Sequence, residues 1–428
     1  MRMWCACVLA WSAVLMSAVT GAAPATLGVN GRSNEQVMLA SQGNIVVATW
    51  SATGPSGTDV FAAMSRDGGR TFGPPTRVNA VSGQVNGGGE QPPRVVLVPS
   101  PAGPKVVVVW TAKTSAGTRL VRAESVDGGR TFGATATVPG SEAAGNRGWE
   151  STAVTPEGRV LALWLDHRKL AGAAPAMVHQ HGAQPGEAAP MPAPATPAAG
   201  PVERAEQSQL FFGSVDGVLP ARALTGGVCY CCKTALVTAG QMVYGAWRHV
   251  YPGNERDIAV AASTDGGRTF GAPVRVSHDR WHIDGCPENG PALAVDRSGA
   301  LHVMWPTLVK EKGTEVLALF HAISTDGRGF TPRVRLPAEG STYHVQLVVD
   351  RDGALVAAWD ETSPQGRRVI VARGRRMPAG GTTWTRLTVT DDTKGVYPAL
   401  AATPSGVVVA WVRRDGDRSS IAVIRLDS

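Results

Sequence analysis

The segment Leu301-His302-Val303-Met304-Trp305 is a short, largely apolar run that stops at a tryptophan, and variants of it recur along the chain. They are Ile45 to Trp50, Val106 to Trp110, Val160 to Trp164, Met242 to Trp247, Leu355 to Trp359 and Val407 to Trp411. Successive tryptophans lie 60, 54, 83, 58, 54 and 52 residues apart. The long interval contains a Pro/Ala-rich segment, from about Ala171 to Pro201, that accounts for its excess. A fixed period of this size marks a repeat architecture, in which each unit buries a face against the next.

The units share an internal order. A short apolar strand such as Pro291-Ala292-Leu293-Ala294-Val295 comes first, then the turn Asp296-Arg297-Ser298-Gly299, then the tryptophan strand. A third strand, a hairpin and a fourth strand such as Val274-Arg275-Val276 complete the unit. Short strands at even spacing, bounded by Gly, Asp and Pro turns, indicate an all-β fold. Four-stranded sheets packed face to face around an axis make a β-propeller, here of seven blades, with six plus an irregular unit as the other closure. The last unit ends in Ile421-Ala422-Val423-Ile424-Arg425-Leu426, which reads as a third strand. Its fourth strand is expected from the chain start, near Leu27 to Val29.

The hairpins are the most specific feature. Ser65 to Phe72, Ser125 to Phe132 and Ser263 to Phe270 all read S-x-D-G-G-R-T-F. Ser324-Thr325-Asp326-Gly327-Arg328-Gly329-Phe330 is a shifted copy, and Ser214-Val215-Asp216-Gly217 a degenerate one. Asp67, Asp127, Asp265 and Asp326 are expected to accept hydrogen bonds from turn N–H groups, while the glycines take positive φ. The pattern resembles the Asp-box, or bacterial neuraminidase repeat, of sialidase-like propellers. That resemblance implies a propeller with structural aspartates on its periphery; it does not fix an activity.

The chain start reads as a secretory signal peptide over residues 1–25: Arg2, an apolar stretch from Val8 to Val19, then Gly21, Ala22, Ala23 and Ala25. A cut near Ala23 or Ala25 removes Cys5 and Cys7 and leaves a periplasmic or secreted single domain over 26–428, expected to be monomeric and without a membrane span. Lys and Arg number 41 against 34 Asp and Glu, for a net charge of +7. The basic residues are scattered through turns and form no basic helix or aromatic-interleaved stripe, which argues against nucleic acid as the partner.

In a propeller the loops leading into the innermost strands and those following the second strands share one face, where a site should be sought. The first set contains Glu90, Gln91, Trp149, Glu150, Cys229 to Lys233, Trp281 to Asn289, Tyr343 to Gln346, and Tyr397. The second contains Asp166, His167, Arg168, Arg248, His249, Asp360, Glu361, Arg413 and Arg414. Trp149, Glu150, Lys233, Arg248, His249, Trp281, His282, Asn289, His344 and Tyr397 are the candidate binding residues, and Tyr397, Glu288, Asp284 and Arg248 the candidate catalytic ones.

All four cysteines beyond the signal peptide fall on two neighbouring loops, Cys229, Cys231 and Cys232 on one and Cys286 on the other. In an exported protein two disulfides are expected, in one of three connectivities; Cys229 or Cys232 joined to Cys286 would tie two blades together, and a vicinal Cys231–Cys232 bridge would be strained. The other reading is a copper or zinc site of Cys229, Cys231, Cys232 and Cys286 with His282, since thiolates suit soft ions. Met177, His179, His181 and Met191 in the Pro/Ala-rich insertion point the same way.

The sialidase resemblance implies three arginines clamping a carboxylate, a Tyr–Glu nucleophile pair and an aspartic acid/base. Tyr397 in Gly395-Val396-Tyr397-Pro398-Ala399-Leu400 resembles the setting of the nucleophile tyrosine, and Arg94, Arg248 and Arg413 are expected to point toward the axis. The sequence departs from the family in lacking its Arg-Ile-Pro motif and a clear aspartate in the first loops. Three functions follow: a module binding a glycan or a cell-surface or periplasmic protein on the axial face, an exo-α-sialidase or other glycoside hydrolase, and a periplasmic copper or zinc protein.

Overall fold

The computed structural model describes residues 24–170, 200–283, 285, 287–311, 313–377, 381–387 and 394–427. They form seven antiparallel four-stranded sheets. Blade 1 shows the plan, with strands Ser33–Gln42, Ile45–Gly54, Gly57–Ser65 and Thr76–Arg77 in order from the axis outward. Blades 2 to 6 repeat it over residues 94–137, 147–226, 235–275, 292–335 and 342–387. Each innermost strand touches those of the two adjacent blades, and Ser33–Gln42 meets Gly395–Thr403 to close the ring.

Blade 7 takes three strands from residues 395–427 and its outermost from the chain start. Ala25, Thr26 and Leu27 pair with Val423, Ala422 and Ile421. The closure is the expected one, but the strand lies two residues earlier than the sequence suggested, because Val29 leaves the sheet to give its N–H to Asn34 Oδ1 at 2.8 Å. Ala25, the last residue assigned to the signal peptide, is already a strand residue.

The repeated tryptophans lie on the second strand of every blade and are almost wholly buried. Each packs in a cluster shared with the preceding blade: Trp50 with Val408 and Val412, Trp247 with Leu161 and Leu163, Trp411 with Val356 and Val369. The core is therefore a ring of seven inter-blade seams, which is why no single four-stranded unit would be stable alone.

The hairpins join third to fourth strands. Asp67 Oδ1 accepts from Arg70 N at 3.0 Å and Thr71 N at 2.9 Å, and Oδ2 accepts from Thr71 Oγ1 at 2.6 Å. Asp127 and Asp265 repeat the pattern with Thr131 and Thr269, and Asp326 accepts from Arg328 N and Gly329 N. These bonds hold the carboxyls of Asp67, Asp127 and Asp265 well below the usual carboxylate range. Their role here is local.

Candidate functional site at the axial mouth

Innermost strands would run straight past the axis if they were regular. Four of them do not: the register slips between Glu35 and Met38, Gly148 and Ser151, Tyr343 and Gln346, and Val396 and Ala399. At each slip a non-glycine residue takes a left-handed backbone: Gln36 (φ 58°), Trp149 (φ 52°), His344 (φ 53°) and Tyr397 (φ 54°). Such a conformation costs about 1–3 kcal/mol per residue and persists only where the surroundings impose it. The same device on four blades presents four large polar or aromatic side chains at one end of the ring.

A small cleft lies there, with about 20 Å³ of enclosed space, lined from five blades by Gln36, Val37, Gly89, Glu90, Pro92, Arg94, Lys233, His344, Gln346, Tyr397 and Pro398. Arg94 is buried, and its Nε and one terminal nitrogen have no hydrogen-bond partner. Burial lowers the pKa of this guanidinium, against the opposing pull of Glu150 and Glu90. Lys233 is also buried; its Nζ lies 3.5 Å from Glu90 Oε1 and donates to the carbonyl of Val345. Burial lowers its pKa too, again opposed by Glu90. Glu90 Oε2 accepts from Gly290 N at 3.2 Å, which ties blade 2 to the loop leading into blade 5. Glu150, raised by burial, accepts from Thr111 Oγ1 at 3.2 Å.

On blades 6 and 7, Asp360 organises three groups. It accepts from Tyr397 N at 3.2 Å, lies 2.6 Å from His344 Nδ1, and forms an ion pair with Arg367 at 2.7 Å. The rings of His344 and Tyr397 are tilted against each other with centroids 4.0 Å apart. A carboxylate on Nδ1 orients the imidazole and leaves Nε2 for other work. Burial raises the Tyr397 phenol, and the carboxylates Glu288, Glu90 and Asp360 add to that, so it stays protonated. The mouth therefore pairs a neutral phenol and a positioned imidazole with two buried cations.

The structure gathers Lys233, His344, Tyr397 and Glu90 around the cleft, with Glu150 close to Arg94, while Trp149 packs on the cysteine cluster. It does not assemble an arginine triad. Arg248 is fully buried, stacks 4.7 Å from the Trp281 ring, and spends its donors on the carbonyls of Asn289, Arg256 and Pro306, which makes it a tie between blades 4 and 5. Arg413 is exposed, and of the three only Arg94 lines the cleft. Glu361 binds Arg368, Arg386 and Trp359 Nε1. Asp166 is held by Arg147 and Arg168. His249 lies beside Trp247 and Tyr251, and His167 beside Trp149; burial takes both imidazoles down to about 4. Asp284 and Cys286, like residues 1–23 and most of the insertion with Met177, His179, His181 and Met191, lie outside the described residues. Gln36 was not among the expected residues; its equivalence to Trp149, His344 and Tyr397 within the repeat was the signal that could have found it.

Cys229, Cys231 and Cys232 form one buried cluster against Trp149 and Tyr230, with every Sγ within 4.8 Å of the others. His282 does not join them: its Nδ1 lies 2.9 Å from the carbonyl of Arg280. Cys229 and Cys232 are free thiols, so the expected pairings with Cys286 are not shown. Burial alone would raise the Cys229 thiol, yet the Cys232 hydrogen bond and the Arg256 and Arg248 charges bring it down to about 7. Cys232 is pushed up, by burial and by its bond to Cys229.

These features define a seven-bladed β-propeller with a strained, charged axial mouth. No family model matches the chain, and no curated protein does, so the Asp-box resemblance rests on the quoted residues alone. Solved structures match over nearly the whole length. A polysaccharide lyase, Uly1, aligns with a TM-score of 0.53 at 12% identity, covering 94% of this chain and 92% of that one. An α-L-arabinofuranosidase from Fusarium graminearum, bound to an iminosugar inhibitor, gives 0.51 at 11%, with 95% and 98% covered. A puromycin-hydrolysing peptidase from Mycobacterium tuberculosis gives 0.52 at 14%, with 96% of this chain but 54% of that one covered. At such identities the likeness is one of fold.

Proposed function

We propose that this chain is an exported carbohydrate-recognising propeller whose axial mouth takes an acidic saccharide. The observation that carries the reading is Arg94: a buried guanidinium, lining the cleft, with Nε and a terminal nitrogen lacking partners. A sugar carboxylate or sulfate fits such a fork in bidentate fashion. Lys233 stands beside it, and His344 and Tyr397, which line the cleft, offer rings for a pyranose face. Leaving buried donors unpaired costs about 1–3 kcal/mol, and a ligand anion would recover it. The names of two structural neighbours, a polysaccharide lyase and an arabinofuranosidase, fit a carbohydrate ligand. Export is supported by the N-terminal pattern of charge, apolar stretch and small residues.

Calorimetry with uronate or sulfated oligosaccharides and their neutral counterparts tests this. Acidic saccharides should bind preferentially, and Arg94→Met should weaken them roughly tenfold to a hundredfold. Equal binding of acidic and neutral sugars, unchanged in Arg94→Met, would overturn the reading.

A second reading, cleavage of the bound glycan, is favoured by one further observation, the Asp360–His344 pair set against Tyr397. A positioned imidazole and a protonated phenol can move protons in opposite directions. Release of reducing ends that disappears in His344→Gln would establish catalysis; binding without such release would leave a binding module.

A further inference from the structure

The loop from Gly227 to Lys233 is a strap. Val250 N donates to Gly227 O at 2.8 Å and Cys229 N to Arg248 O at 2.9 Å, so the strap lies along the second strand of blade 4. It then turns through Cys229-Tyr230-Cys231-Cys232 and delivers Lys233 to the axial cleft. Within that turn the Cys229 and Cys232 sulfurs are 2.7 Å apart, while Cys229 and Cys231 are 3.9 Å apart. Cys231 is not among the free thiols.

We infer that Cys229 and Cys232 are a C-x-x-C pair that closes to a disulfide, a pairing different from either expected link to Cys286. The distance discriminates between this and a shared metal ion. Two thiolates on one tetrahedral zinc, each at about 2.3 Å, stand ~3.8 Å apart, whereas a disulfide needs about 2.05 Å. A gap of 2.7 Å is nearer the second figure. The buried guanidiniums of Arg248 and Arg256 bias the site toward a thiolate at Cys229.

The oxidant required is a small disulfide. The Cys229 thiolate attacks one of its sulfurs, the S–S bond breaks, and one thiolate leaves. Cys232 gives its proton to that thiolate and attacks Cys229 Sγ, which expels the second thiolate; this one takes up the proton that Cys229 released to solvent on ionising. The pair thus loses two electrons and two protons, and the oxidant becomes two thiols. Both cysteines are buried, so the exchange takes place before the strap packs or while it is lifted. Closing the ring fixes the turn immediately before Lys233.

The test is peptide mapping of the full-length exported protein, alkylated without reductant and again after reduction, together with titration against reduced and oxidised glutathione. The expected result is a Cys229–Cys232 crosslink that opens with a gain of two hydrogens in mass and re-forms under oxidised glutathione. It should survive Cys231→Ser and vanish in Cys232→Ser. Alkylation of both thiols in the oxidised, unreduced protein would overturn the inference, as would a link from either to Cys286 or Cys231, or copper or zinc retained by the pair in a native mass. Because the wild-type map reads the sulfurs directly, it stands even if Cys232→Ser does not fold. The result is independent of whether the cleft binds a glycan.

Discussion

The second glycine of the hairpin motif does two jobs at once. Gly69 has φ 87°, and a Cβ there would lie 2.4 Å from Val408 Cγ2 on the next blade around the ring. Gly267 repeats the arrangement, with a Cβ falling 2.6 Å from Phe212 Cζ. Gly129 shares the backbone conformation (φ 78°), but the nearest atom to its Cβ is Met64 Cε at 3.8 Å. The hairpins are thus inter-blade packing elements as well as turns. Gly69→Ala should combine about 1–2 kcal/mol of left-handed backbone cost with a further ~1–3 kcal/mol of overpacking. Gly129→Ala should show only the first. Urea unfolding of the two variants measures the difference; equal losses would remove Val408 from the account. Ser65 is the buried partner in this turn, donating to Asp67 Oδ1 at 2.7 Å and accepting from Gly69 N at 2.8 Å. Its replacement by alanine orphans a buried N–H and should cost about 1–3 kcal/mol.

Among the elements, the three-residue strand Ala25–Leu27 matters beyond its length. It supplies the outermost strand of blade 7 and places Leu27 in the same cluster as Trp50 and Val412. A mature chain beginning at Pro24 keeps all three pairs, and one beginning at Thr26 loses the first. A chain beginning at Gly28 should lose about 2 kcal/mol from Leu27 burial alone. Its amides in the Arg418–Asp427 strand should also exchange faster, because that strand becomes an open edge. An unchanged thermal midpoint would show that the closure contributes nothing. The inner strands carry the other element-level lesson: a bulge at one fixed position turns a structural strand into a presenter of Gln36, Trp149, His344 or Tyr397.

For the molecule as a whole, buried imidazoles are expected to make the fold acid-sensitive. Burial takes His321 down to about 3 and His167 and His249 to about 4, and it lowers His302. His302 and His321 are stacked and share a hydrogen bond of 3.0 Å, with Asp296 on the far nitrogen of His302. An unfolded histidine takes up its proton near 6.5, so below that pH the unfolded chain binds protons that the fold refuses. Stability should therefore fall between about pH 6.5 and 4, with each such histidine contributing up to about 1.4 kcal/mol per pH unit. The hairpin aspartates, whose folded pKa values are depressed, add a second loss only as pH drops below the ordinary carboxylate range. Thermal midpoints between pH 8 and 4 check this, and His321→Gln should flatten the upper window. A slope unchanged by that variant would place the sensitivity elsewhere.

By itself the sequence determined the architecture. The tryptophan period, the alternating strands and the hairpin glycines are local signals, each repeated often enough to indicate a propeller of seven or six blades and a closing strand borrowed from the chain start, and the structure has seven. Lys233, His344 and Tyr397 were legible for the same reason, since they sit at fixed places in the repeat. What only the tertiary structure decided depends on which partner each charged group finds. Arg248 and Arg413 look like Arg94 in sequence, yet carbonyls from two blades occupy the first, the second is exposed, and only the third has donors left inside the cleft. Cys229 could as readily face Cys286 as Cys232 along the chain, and the turn between them set the distance. The burial and pairing of the charged groups depend on neighbours contributed by other strands and blades, which no local pattern encodes.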